Sequence, residues 1–307
     1  MILGGRTAAA FASVVIVGLA TAALGAPAHA VEDAAPQLDP TLTAAAGTQI
    51  AWAQVGDGPV LLMLNGTASP MSEWDPALLS ALAQEHRVIV LDYPGLGLSG
   101  PAPQAWTFAN AADWIAELLP TISADAPVDV LGWSMGGFIA QQLAIRHPER
   151  VRSLILAATN PGGHGAVLGP PWVQEADSSG GVSAYLRTNY PPGHRSAGRR
   201  FLDRLADAVA SGAYPQERVP ASTARAMVRA EDPWLRSDAN ADALAGVRAP
   251  TLVITGADDL ITPAVNSRRI AKRIPGAKLI LVARSGHSFL FQRPALTAAT
   301  VSGFLLR

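Results

Sequence analysis

Residues 128–137 read Val-Asp-Val-Leu-Gly-Trp-Ser-Met-Gly-Gly. A strand-like run turns at Gly132-Trp133-Ser134-Met135-Gly136 and enters a helix-like run that stops at Pro148. A Gly-x-Ser-x-Gly turn between a strand and a helix is the sequence form of a nucleophile elbow. Its glycines let the chain turn sharply and let strand and helix approach closely. The serine is then held proud of the sheet, where a base can reach it. The pentapeptide alone is a weak signal in a chain of 307 residues with 28 glycines. Its strand–turn–helix setting and its downstream partners give it weight.

The partners follow as Asp259 and then His287, so the chain order is Ser, acid, His. Four further segments stand around this order: Leu64-Asn65-Gly66-Thr67, Asp92-Tyr93-Pro94-Gly95-Leu96-Gly97-Leu98-Ser99, Gly256-Ala257-Asp258-Asp259-Leu260-Ile261-Thr262-Pro263, and Ser285-Gly286-His287. With the elbow they resemble the α/β-hydrolases, of the cofactor-free esterase, haloperoxidase-like and lactonase-like type. The likeness spans about residues 48 to 305. It is specific for the fold and says little about the substrate. It implies a mostly parallel central sheet with helices on both faces and no cofactor; separately, no His/Cys/Glu cluster has metal-ligand spacing.

Ser134 is the expected nucleophile. A free serine hydroxyl is a poor nucleophile and needs an adjacent base. His287 fits that role, because it follows a strand and a Ser-Gly turn. His86 and His147 end helix-like runs, where a cation favours the helix C-terminus, and read as structural. His164 and His194 lie in or beside the inserted region and are candidates to line the pocket. The acid is Asp259 or Asp258, which physical reasoning on the sequence does not separate. The resemblance points to Asp259, three residues after Gly256 and four before Pro263, with Asp258 capping the turn. The acid would hold the imidazole tautomer and stabilise the imidazolium.

An oxyanion hole needs backbone N–H donors aimed at the developing charge. The amide of Met135, at the start of the elbow helix, is one candidate. The amide of Thr67, after the Val60–Asn65 strand, is the other. The family commonly has His-Gly where this chain has Asn65-Gly66, so Asn65 has to brace that loop. Trp133, Met135, Leu260, Phe289 and Leu290 flank the triad candidates. Trp133, Leu260 and Phe289 are carried forward as substrate-binding residues, with core packing as the alternative for each. The Asp92–Ser99 turn lacks the Lys of a P-loop and a third glycine at Rossmann spacing, and reads as a structural turn.

Arg6 is the only charged side chain in the first thirty residues, and an apolar run from Ala8 to about Gly25 precedes Ala28-His29-Ala30. This reads as a secretory signal peptide over residues 1–30, cleaved near Ala30. The alternative is a retained membrane anchor. Loss of Arg6 changes the formal net charge from −1 to −2. Without a basic patch, nucleic acid and anionic membrane surfaces are poor partners. The chain has no cysteine, so thiolate chemistry and disulfides are excluded. Secretion without stable membrane association is the expected localisation, and the expected partner is a small acyl compound.

Strand-like runs at Gln49–Gln54, Val60–Asn65, Arg87–Asp92, Val128–Gly132, Val151–Ala157, Thr251–Thr255 and Lys278–Val282 alternate with helix-like runs at Pro76–Gln84, Phe108–Leu119, Met135–His147 and Pro294–Leu306. Such alternation predicts a mostly parallel sheet. Residues 31–47 read as a flexible lead-in, and residues 48–163 and 248–307 as the core. Residues 164–247 break the pattern. The resemblance implies a helical cap inserted here, and the helix-like pieces and apolar spacing of Phe201, Leu202, Leu205 and Val209, with Trp172, Tyr185 and Trp234, argue for a packed unit; the alternative is a loose surface excursion. The functional expectation is a secreted serine hydrolase of carboxylic esters, lactones or similar acyl compounds. Aminopeptidase and peracid-forming activities are the enzymatic rivals. A non-catalytic binding protein on the same fold is the rival of another class.

Overall fold

The computed structural model describes residues 34–306, Asp125 excepted. The segment read as a signal peptide lies outside the described residues. Eight strands form one sheet: β1 (Thr41–Ala45), β2 (Thr48–Val55), β3 (Val60–Leu64), β4 (Arg87–Leu91), β5 (Val128–Trp133), β6 (Val151–Ala157), β7 (Thr251–Gly256) and β8 (Lys278–Val282). Their order across the sheet is β1-β2-β4-β3-β5-β6-β7-β8. The β1–β2 and β2–β4 pairs are antiparallel, and the β4–β3, β3–β5, β5–β6, β6–β7 and β7–β8 pairs are parallel.

All seven predicted strands are present. β1 was not predicted, and it corrects the lead-in read over residues 31–47. It is built from Thr, Leu and Ala at a mostly exposed edge, so no apolar run marks it. Ala46 and Gly47 both take positive φ, 53° and 78°, which makes a two-residue hairpin turn whose twist suits the flanking strands. Leu38, just before β1, is buried, and its amide donates to the Ala213 carbonyl at 2.9 Å.

Alternate side chains of the central strands feed two cores, as a period of two requires. Leu62, Leu64, Val130, Leu154, Leu156 and Val253 face one core. Helices α2 (Phe108–Ser123) and α3 (Met135–Arg146) pack there. Leu61, Met63, Leu131, Ile155, Leu252 and Ile254 face the other core, covered by α1 (Pro76–Leu82) and, from the C-terminal part, α11 (Pro294–Leu305). The polar Asp129 inside β5 is fully buried and pairs with Arg152 of β6, whose Nε donates to it at 2.9 Å. A buried charge needs such a partner.

Between β6 and β7 the chain forms α4 (Pro171–Ser179), α5 (Val182–Asn189), α6 (Arg195–Ala210), α7 (Ala221–Arg236) and α8 (Ala239–Ala243). Helices α9 (Val265–Arg273) and α10 (Phe289–Gln292) follow β7 and β8. The insert is packed. Phe201, Leu205, Met227 and Trp234 are buried, and Leu202 and Val209 pack beside them. Asp75 accepts a bidentate contact from Arg204 of α6 at 2.8 and 2.6 Å, which ties the insert to the start of α1. Trp172 departs from the expected packing: it is 45% exposed, with the Arg187 guanidinium 5.5 Å from its ring centroid.

Candidate active site

Ser134 sits between β5 and α3 with φ 55° and ψ −122°. This region is strained for a residue with a side chain and turns the hydroxyl out of the sheet. The flanking glycines are steric requirements. A Cβ on Gly132 would strike the Gly136 carbonyl, and one on Gly136 would strike the Leu64 carbonyl. Ser134 is half-buried and lines a cleft together with His287, Thr67, Met135 and Trp133.

The turn after β7 presents Asp259 and the loop after β8 presents His287. His287 Nδ1 lies 2.9 Å from Asp259 Oδ2. Asp259 is 4% exposed and His287 3%. The other carboxylate oxygen accepts the amides of Ile261 and Thr262, both at 2.9 Å. Asp258 is exposed, and its amide donates to the Ser285 carbonyl at 2.9 Å. The structure therefore separates two carboxylates that physical reasoning on the sequence did not.

Thr67 and Met135 line the cleft together with Ser134. Met135 opens α3, whose first N–H groups have no partner within the helix. Thr67 follows β3 on a loop that Asn65 braces: Asn65 Nδ2 donates to the Pro70 carbonyl at 2.7 Å, and its Oδ1 accepts the Gly66 amide at 3.2 Å. Tyr93 adds a hydroxyl donated to the Asn65 carbonyl at 3.0 Å. Asp92 accepts the Met71 and Leu98 amides, both at 2.8 Å, so the Asp92–Ser99 turn is structural, as predicted.

Residues 59–294 match the family model described as alpha/beta hydrolase fold. The chain belongs to the alpha/beta hydrolase fold family. A pimeloyl-[acyl-carrier protein] methyl ester esterase of Nitrosomonas europaea is 30% identical over 246 residues, covering 76% of this chain and 90% of that protein. A poly(3-hydroxyalkanoate) depolymerase of Ectopseudomonas oleovorans is 30% identical over 262 residues, covering 80% and 83%. Among solved structures, an alpha/beta hydrolase fold protein from Chitinophaga pinensis superposes with a TM-score of 0.77 at 22% identity, over 89% of this chain and 99% of that one. The chain is a hydrolase by family.

In this hydrolase the cleft differs from expectation at several positions. Phe289 is fully buried in the core and does not line the cleft; Phe291 does. Leu260 is half-buried and is not among the lining residues, which include Ile261 and Thr262 instead. Because Asp259 accepts two consecutive amides, the backbone curls over it and carries residues 261 and 262 to the cleft. His164 is exposed and pairs with Asp238 at 3.0 Å, and His194 is not among the lining residues. His147 pairs with Asp113 at 2.7 Å, and His86 Nε2 lies 3.0 Å from Ser302 Oγ; neither is among the lining residues.

Thr262 was missed. Its hydroxyl lies 2.8 Å from the Ala158 carbonyl, 2.9 Å from Asp259 Oδ2 and 3.2 Å from His287 Nδ1. The signal was present, since a hydroxyl three residues past an Asp in a turn is well placed to return to it. Also unforeseen were Glu73, Ser69, Asn160 and Glu231 in the cleft wall. Burial holds the Glu73 carboxyl up at about 8, against a hydrogen bond from Ser69 that lowers it, with the negative field of Glu217 adding to the rise. Glu231 of α7 accepts the Thr67 hydroxyl at 3.3 Å.

Proposed function

We propose that this hydrolase cleaves carboxylic esters, lactones or similar small acyl compounds through Ser134, His287 and Asp259. The observation that carries the proposal is the buried Asp259 carboxylate 2.9 Å from His287 Nδ1, in the same cleft as the elbow serine. With Nδ1 held as a donor to Asp259, Nε2 is left as the basic nitrogen. Ser134 Oγ attacks the acyl carbon while its proton passes to His287 Nε2. The carbonyl electron pair moves onto oxygen, where the Met135 and Thr67 amides stabilise it. The tetrahedral intermediate collapses, the alkoxide takes the proton from His287, and the acyl group remains on Ser134. Water then repeats the sequence, with His287 as base, and releases the acid.

The helical insert would act as a cap that sets substrate choice. Residues from α5, α6 and α7 contribute eight of the 22 residues of the cleft wall, among them Tyr185, Phe201, Leu205 and Trp234. The charge-poor apolar start supports export, with a mature chain beginning at Val31 and no stable membrane association. N-terminal sequencing of exported protein tests this; recovery only as a full-length membrane-bound chain would count against it.

The decisive experiment on the chemistry compares the parent with Ser134→Ala, His287→Ala and the double variant on a panel of acyl esters and lactones. In a triad each single loss costs on the order of 10⁶ in kcat, and the double loss costs about the same. A fluorophosphonate probe should label the parent and spare Ser134→Ala. A folded Ser134→Ala protein with near-parent turnover would sink the proposal.

A further inference from the structure

The triad leaves the carboxyl of Glu73 unused. It stands in the cleft wall on the short turn Met71–Glu73, between the loop that carries Thr67 and the start of α1. Its neighbour Trp74 is fully buried, with ring centroids 6.3 Å from Trp133 and 6.1 Å from Phe291. Phe201 of the insert stacks on Phe291 at 4.4 Å. Glu73 is thus a carboxyl set into an aromatic wall shared by core and insert. A polar group in such surroundings needs hydrogen-bonding partners, and Ser69 supplies one of them.

The charge balance of the cleft points the same way. Among the described residues its titratable lining groups are Glu73, Glu231, Tyr185 and His287, and no Lys or Arg lines it. Resting on the acyl-hydrolase reading of Ser134, we infer that Glu73 is a specificity determinant: the cleft selects acyl chains carrying an uncharged hydrogen-bonding group, a hydroxyl or amide, and rejects chains carrying a carboxylate there. The reason is electrostatic. Desolvation and the field of Glu217 oppose a negative charge at Glu73 itself, and they oppose a substrate carboxylate at the same place for the same reason. A neutral carboxyl can both donate to and accept from a hydroxyl or amide. A site built to hydrogen-bond a substrate group discriminates more strongly than an apolar pocket does, because its polar group is left unpaired otherwise.

The test uses nitrophenyl esters of butanoic, hexanoic and octanoic acids, each plain, with a terminal hydroxyl and with a terminal carboxylate. At a pH near 7 the parent should favour at least one hydroxy ester over its carboxy counterpart by about tenfold or more in kcat/KM. Glu73→Leu should lower the ratio of that hydroxy ester to its plain ester by about fivefold or more. Glu73→Gln, which keeps a hydrogen-bonding head group, should hold that ratio within about twofold. The parent ranking tests the claim even if Glu73→Leu fails to fold. Equal rates on hydroxy and carboxy esters, or a ratio that Glu73→Leu leaves unmoved, overturns this inference alone. Absence of turnover of every ester by the parent overturns the Ser134 reading as well.

Discussion

Asp259 Oδ2 and His287 Nδ1 stand 2.9 Å apart with both side chains buried, while the adjacent Asp258 is exposed. A buried carboxylate needs donors that satisfy its oxygens. The Ile261 and Thr262 amides and the Thr262 hydroxyl supply those donors. Asp258 has no such setting, so the two neighbours are chemically unlike.

Asp259→Asn should therefore lower kcat by roughly 10⁴, the loss seen for the equivalent change in another triad, because the amide favours the wrong imidazole tautomer. Asp258→Asn should change kcat by less than about threefold. Steady-state ester turnover of the two variants decides between them, and the reverse ranking would move the acid to Asp258.

Thr262 touches Asp259, His287 and the Ala158 carbonyl at once. In the proposed triad this makes it a positioning residue. Thr262→Val keeps the volume and removes the hydroxyl. Turnover should fall by about tenfold to a hundredfold, with KM nearly constant. The pH at which activity rises should also move, since Asp259 loses one donor. Thr262→Ser should restore both. A Thr262→Val protein with parent kcat and parent pH profile would leave the residue a purely structural role.

Glu73 makes stability depend on pH. Its folded-state carboxyl is raised to about 8, against about 4.3 in an unfolded chain. The folded state holds this proton more tightly, so the stabilisation is complete below pH of about 4.3 and is lost as pH rises through about 8. The groups facing it include Ser69 on its own loop, Tyr185 of α5 and Glu217 ahead of α7. Asp92, which is raised through burial and its hydrogen bond with Glu217, loses stabilisation in the same direction. Urea unfolding of the parent should show declining stability between pH values of about 5 and 9. Glu73→Gln should flatten part of that decline and leave the Asp92 part. An identical slope in both proteins would remove Glu73 as a cause.

What was legible in the sequence followed from strong periodicity or steric necessity. The central strands are continuously apolar because both faces are covered, and the elbow glycines have no alternative next to the Gly136 and Leu64 carbonyls. Asn65 as the loop brace followed from the family resemblance, where it stands in place of a histidine, and its amide can both donate and accept. β1 was illegible because an exposed edge strand of Thr and Ala carries no apolar run. Leu260 and Phe289 were misplaced by proximity to the triad. Which neighbour reaches the cleft depends on the curl of the Asp259 turn and on the direction of α10, and composition reports neither. Glu73 was illegible for a different reason: its environment is assembled from the insert and the core, which meet only in three dimensions.

The two tryptophans read together as packing residues of the insert separate in the structure, and their variants should separate too. Trp234 is 8% exposed, stacks on Phe138 with centroids 4.9 Å apart, and donates its Nε1 to Asn160 Oδ1 at 2.9 Å. It lines the cleft. Trp234→Ala removes a large buried ring, at a cost of about 3–5 kcal/mol, and also enlarges the cleft on the insert side. The ranking of kcat/KM among esters of different acyl size should shift toward bulkier acids. Trp172, 45% exposed, holds the Arg187 guanidinium 5.5 Å from its ring centroid. Trp172→Ala should cost about 0.5–1 kcal/mol, the scale of an exposed cation–π pair, and leave the ester ranking alone. Thermal denaturation and an ester panel on both variants provide the check. A uniform loss across all esters in Trp234→Ala, in step with its lowered melting temperature, would reduce the residue to packing and take from the insert its role in substrate choice.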